Sequence, residues 1–191
     1  RGRGRMKEID YSQFYSLENY LFNNITKKFE EKKTLSTEDF FCIIIWKSNR
    51  AKSKIAKKIM NVSKKDLNSS VEELIKDIVN SKNEKDKLKI ILDKWKFGLP
   101  MASAILSVLY PDKFSIYDYR VCDMLKNFHN IKNLKSDKMT DLYFEFLEEV
   151  WKNVPEKTSF RDKDRFLWGK SFYQGLKNDI EHEFKVERED K

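Results

Sequence analysis

The sequence predicts an all-α protein, and three observations predict it. Apolar residues recur at intervals of three and four along most of the chain. A serine followed three residues later by an acid, the pattern of a capped helix start, occurs at Ser36, Ser70 and Ser159. Glycine and proline, which interrupt helices, number only five and three among 191 residues, while charged residues reach 37% and supply a solvated surface. Hydrophobic residues at 40% and aromatics at 14% exclude a disordered chain. The length suffices for one domain with a sizeable core, or for two lobes around a cleft. No internal repeat or low-complexity linker marks a boundary, so residues 6–191 are expected to form a single helical domain.

RGRGR before Met6 carries three of the positive charges; it is expected to be a leader left from expression and is set aside, a native basic arm being the alternative. From Tyr11 to Lys28, Tyr11, Phe14, Tyr15, Phe22 and Ile25, with Phe29 just beyond, fit one amphipathic helix. Lys27–Lys33 is mixed charge, a helix end and loop. Ser36 and Asp39 cap the next segment. Phe40–Trp46 is almost wholly apolar, and its three isoleucines favour a strand by propensity; a buried helix is expected because its surroundings are helical. Trp46 to Arg50 then reads either as a loop that brings Lys47 and Arg50 to phosphates with Trp46 lining a pocket, or as a core tryptophan followed by a solvated turn. Ala51–Met60 pairs Ile55 and Ile59 under a basic face, with five cations between Arg50 and Lys58. Such a face can track a phosphate backbone or simply be wet.

Ser70–Glu73 predicts the cap of a helix through Leu74, Ile75, Ile78 and Val79. Leu88, Ile91, Leu92 and Trp95 form the apolar face of another that ends near Gly98. Leu99–Leu109 is apolar nearly all round, hence buried, with Pro100 in a first turn that tolerates it. Pro111 and Asp112 stop it. Phe114–Tyr117 reads as extended, and Asp118 caps a helix carrying Val121, Met124, Leu125 and Phe128. Thr140–Trp151 is an acidic amphipathic helix. Ser159 and Asp162 cap a last helix whose Arg161, Lys163, Arg165 and Lys170 either flank a binding cleft or face water. The last dozen residues are expected to fray.

The formal net charge of +8, with aromatics interleaved, is compatible with a nucleic-acid partner and equally with a lysine-rich solvated surface. No apolar run approaches a membrane span and no signal-peptide pattern follows Met6, which implies an intracellular protein, cytoplasmic or nucleoid-associated. Cys42 and Cys122, each beside apolar residues, read as buried free thiols. Two cysteines cannot ligate an iron–sulfur cluster, and His129 and His182 lack zinc-ligand spacing, so no metal or cofactor is expected.

Gly98 to Asp118 is a spacing of twenty, and Tyr119-Arg120-Val121 follows the aspartate. In this, residues 88–128 resemble the core of the helix-hairpin-helix DNA glycosylase superfamily. There a glycine-bearing hairpin grips the DNA backbone, and a catalytic aspartate stands at the mouth of the next helix, followed by any residue, His or Arg, then an apolar one. The resemblance implies a glycosylase-like helical fold and duplex DNA as partner. It assigns Asp118 to catalysis and the backbone at Lys96, Gly98 and Leu99, with Arg120, to DNA contact. Two departures qualify it. The usual hairpin reads Leu-Pro-Gly-Val-Gly, and Lys96 stands where the first glycine would be. Pro100 occupies the place of the Schiff-base lysine of strand-nicking members, so the resemblance implies the monofunctional type without lyase chemistry.

The implied reaction is hydrolysis of an N-glycosidic bond. A departing base leaves oxocarbenium character on the sugar, which a carboxylate stabilises while orienting or deprotonating water. The base must first leave the stack for a pocket, and Trp46, Trp95, Tyr117 and Tyr119 are candidate walls. Two other functions compete. One is a non-catalytic DNA-binding hairpin module in which Asp118 is only a cap. The other is a helical protein-interaction domain. The base removed is not specified by the sequence.

Overall fold

A computed structural model describes residues 7–183. RGRGR and residues 184–191 lie outside the described residues; of the last dozen residues, expected to fray, 180–183 belong to a π-helical turn, Asp179–Glu183. Within them every regular element is helical and no strand forms; none of these helices is long and apolar enough to cross a membrane. The chain divides into two compact units, the first ending at Ile75 and the second starting at Lys76.

The first unit opens differently from the single helix expected from Tyr11. Asp10 accepts the Ser12 N–H at 3.0 Å and closes a separate 3-10 turn, Tyr11–Phe14, which leaves Tyr11 and Tyr15 exposed. The helix proper comprises α1 (Leu17–Asn19), a π-helical stretch Tyr20–Ile25, and α2 (Thr26–Lys32). The π stretch inserts one residue into the turn, and Tyr20, Leu21, Ile25, Thr26 and Phe29 are the side chains buried. Tyr20 donates its hydroxyl to Asp39 Oδ1 at 2.6 Å, and Lys28 Nζ reaches the same tyrosine oxygen at 3.1 Å and Asp39 Oδ2 at 3.2 Å. A nearly buried carboxylate is thus both hydrogen-bonded and neutralised, as burial of a charge requires.

Helix α3 (Thr37–Ser48) starts at the expected cap, with Asp39 N–H donating to Ser36 Oγ at 3.1 Å. The apolar run is therefore helical, and its Phe40, Ile43 and Ile44 are buried. A 3-10 turn, Asn49–Ala51, leads to α4 (Lys52–Ser63), which buries Ile55 and Ile59. Helix α5 (Leu67–Asn80) does not start at Ser70. Asp66 accepts the Ser69 N–H at 2.8 Å, and Ser70 is carried inside the helix, its hydroxyl donating to the Asp66 carbonyl at 2.6 Å. The earlier carboxylate takes the cap, two residues after the left-handed Lys64 that ends α4. Lys33, Lys64 and Lys126 all sit at helix C-termini with φ near +55 to +60° (54, 59 and 55°).

In the second unit, α6 (Glu84–Asp93) is capped by Asn83 and packs on α7 (Leu99–Leu109) and α9 (Ser136–Asn153). Helix α7 is buried on nearly every side, as its composition predicts. The short α8 (Tyr119–Leu125) packs on α10 (Phe160–Asn178), which also meets α9. Ser159 caps α10 as expected, accepting the Asp162 N–H at 3.1 Å. Lys163 does not project from a basic face: it is buried, donating to the carbonyls of Trp151 and Val154, both at 2.8 Å.

Candidate nucleic-acid interface and carboxylate site

Between α6 and α7, residues 94–98 alternate. Trp95 and Phe97 point into the core, whereas Lys96 and Gly98 are exposed. Trp95 is fully buried, its Nε1–H donates to Asp77 Oδ2 at 2.9 Å, and Lys94 binds the same oxygen at 2.7 Å. The Phe97 N–H reaches back to the Ile91 carbonyl at 3.2 Å and closes the turn. The left-handed residue of this turn is Lys96, at φ 63°, at the position where the superfamily pattern has glycine. Gly98 is the N-cap of α7 in extended backbone, φ −74°, so no positive φ demands glycine there. A methyl group built on it would meet only Pro100 Cδ at 3.8 Å, an ordinary contact. The Leu99 side chain is fully buried, which leaves its backbone N–H as the group it can offer outward.

The link from Phe114 to Tyr117 is buried and clamped from two sides. On one side, Tyr143 of α9 donates its hydroxyl to the Ser115 carbonyl at 2.6 Å and accepts the Ser115 N–H at 3.3 Å. On the other, the Tyr117 N–H donates to Ser103 Oγ at 2.8 Å, and Ser103 donates in turn to the Pro100 carbonyl at 2.9 Å. The first turn of α7 is thereby tied through one hydroxyl to the residue before Asp118. Tyr117 also donates its own hydroxyl to the Phe128 carbonyl and packs against Phe146. Burial pushes both tyrosine hydroxyls far above the ordinary phenol range, so they act as fixed hydrogen-bond groups.

Asp118 is the N-cap of α8, its Oδ1 accepting the Arg120 N–H at 2.9 Å, and its side chain is half-buried. Arg120 turns onto aromatic rings: its guanidinium carbon lies 5.4, 5.1 and 5.5 Å from the ring centres of Tyr119, Trp168 and Phe172. Tyr119 is exposed. Cys122 is on the buried side of α8, and desolvation pushes its thiol up to about 11; Cys42 is half-buried.

Of the sequence candidates, Lys96, Gly98, Leu99, Asp118, Tyr119 and Arg120 belong to the second unit, where hairpin and carboxylate are linked through Ser103. Trp95 and Tyr117 belong there too, but as core side chains whose rings are closed to solvent. Trp46, Lys47 and Arg50 belong to the first unit. Trp46 is half-buried with its ring edge-on to Phe22 at 5.8 Å, and Arg50 is exposed. Sequence reasoning missed Ser103 and Tyr143 as clamps, and Trp168 and Phe172 as partners of Arg120. Two serines, Ser103 and Ser107, on an otherwise apolar helix were the available signal for Ser103; nothing in the sequence pairs Arg120 with α10. No family model, curated protein or solved structure matches the chain.

Proposed function

We propose that this protein is a monofunctional DNA N-glycosylase-like enzyme of helix-hairpin-helix type, acting on duplex DNA with a damaged or modified base. The observation that supports this reading is the hydrogen-bonded path from the Pro100 carbonyl through Ser103 Oγ to the Tyr117 N–H. It ties the exposed hairpin turn to the residue next to Asp118. In the proposed mechanism, the amides of Leu99 and Met101 at the start of α7 receive a backbone phosphate. A nucleotide swings out of the stack, and the Asp118 carboxylate stabilises the sugar's developing positive charge. The base leaves with the glycosidic electron pair. Water, deprotonated by Asp118, adds to the sugar carbon. The clamp on residues 115 and 117 keeps the carboxylate from relaxing away as charge builds.

Single-turnover release of free base from duplexes carrying modified bases tests the proposal. Asp118→Asn should bind such a duplex as tightly as the original protein and release base at least about 100-fold more slowly. Undiminished release by that variant removes Asp118 from the chemistry. A second reading is favoured by the Asp118–Arg120 cap itself, which accounts for the aspartate without catalysis. That reading, a DNA-binding hairpin module, expects salt-sensitive binding and no base release from any substrate.

A further inference from the structure

We propose that Tyr119, Arg120, Trp168 and Phe172 form a docking site for unpaired nucleotides, and that the protein binds single-stranded nucleic acid through it. This inference goes beyond base removal and needs no catalysis. The rings of Trp168 and Phe172, one turn apart on α10, stack at 5.6 Å with only 10° between their planes. They and Tyr119 surround the Arg120 guanidinium, yet remain 42, 45 and 60% exposed. Large aromatic surface left this open is unusual unless it meets a ligand.

The cation is equally unusual. Among the described residues no carboxylate lies within ion-pair distance of Arg120, and its side chain donates to no protein acceptor. The three ring centres lie 5.1–5.5 Å from the guanidinium carbon, and the N–H fork of an arginine is the group a planar, bidentate anion recognises.

The ligand must therefore offer an anionic oxygen and a flat aromatic face together. An apolar helix would cover the rings but strip Arg120 of water without a counter-charge, which is costly. A carboxylate-bearing peptide would satisfy Arg120 and leave the rings wet. Duplex DNA keeps its base faces inside the stack. An unpaired nucleotide supplies both features, phosphate to the fork and base to a ring, and aromatic stacking serves any base.

The test uses the full chain at low salt with a short fluorescein-labelled oligothymidine and, in parallel, a duplex of the same length, read by anisotropy. Oligothymidine should bind, and Trp168→Ala should weaken that binding about tenfold, while Trp168→Phe retains most of it. Arg120→Lys should weaken it too, because an ammonium keeps the charge and loses the fork. Helical circular dichroism and melting temperature check that each variant is folded; the rings replaced are exposed. Failure of the original protein to bind oligothymidine, or equal affinity in Trp168→Ala, overturns the proposal, as does capture of an acidic peptide in place of the oligonucleotide. Absence of base release from every modified duplex would end the glycosylase reading and leave oligothymidine binding standing, so the two fail separately.

Discussion

Gly98 has room for a side chain as far as its own protein is concerned. Its backbone is extended and an added Cβ meets nothing closer than 3.8 Å. Gly98→Ala should therefore cost no more than about 1 kcal/mol, alanine being a poorer N-cap than glycine while the stiffer unfolded chain offsets part of that loss. If a phosphate comes down on the neighbouring amides, the same methyl group should weaken duplex binding severalfold. A thermal melt together with duplex anisotropy separates the two effects; unchanged affinity would take the turn out of the DNA interface. The twenty-residue spacing and the cap at Asp118 were legible in the sequence because both are local. The role of Ser103 was not, since it depends on which backbone N–H the fold brings to its hydroxyl. Nor was the burial of Trp95 and Tyr117: an aromatic beside a glycine or an aspartate looks the same whether it lines a cleft or fills a core.

Among the helices, the junction of α9 and α10 carries the most unusual group. Lys163 is 2% exposed, and its ammonium is satisfied by the two carbonyls at the end of α9 and by the Trp151 ring at 4.1 Å. A cation at a helix C-terminus is favourable for the dipole and for otherwise unpaired carbonyls. Lys163→Met keeps the length of the side chain and orphans both acceptors. Urea unfolding should show a loss of about 3 kcal/mol; a loss below about 0.5 kcal/mol would mean that water replaces the lysine. The sequence shows α10 as a helix with charges at intervals, and nothing marks one lysine as the buried one. Helix starts were legible where one side chain alone supplies the cap, as at Ser36 and Ser159. At Ser70 a better acceptor, Asp66, stood four residues earlier and the helix began there. The break before Leu17 was hidden because the apolar spacing of Tyr11, Phe14 and Tyr15 suits a 3-10 turn capped by Asp10 as well as an α-helix.

For the molecule as a whole, positive charge is distributed unevenly. Residues 47–65 hold eight lysines and arginines and no acid. Burial pushes Lys58 below the ordinary lysine range, with the like charge of Lys54 adding to the shift. Lys54 and Lys57 are exposed on α4. If this face touches a phosphate backbone, replacing both with glutamine should lower the slope of log affinity against log salt by about 2 for duplex DNA, close to 0.9 per contact. An unchanged slope would show the face to be merely wet. The left-handed lysines that end α2, α4 and α8 extend this picture. A side chain in that conformation costs about 1 kcal/mol, and a cation beside helix carbonyls returns about 0.3–1 kcal/mol. The two nearly cancel. Glycine at positions 33, 64 and 126 would then discharge the protein by three units at little cost to its folding, so electrostatic attraction and architectural integrity are separable properties of this chain.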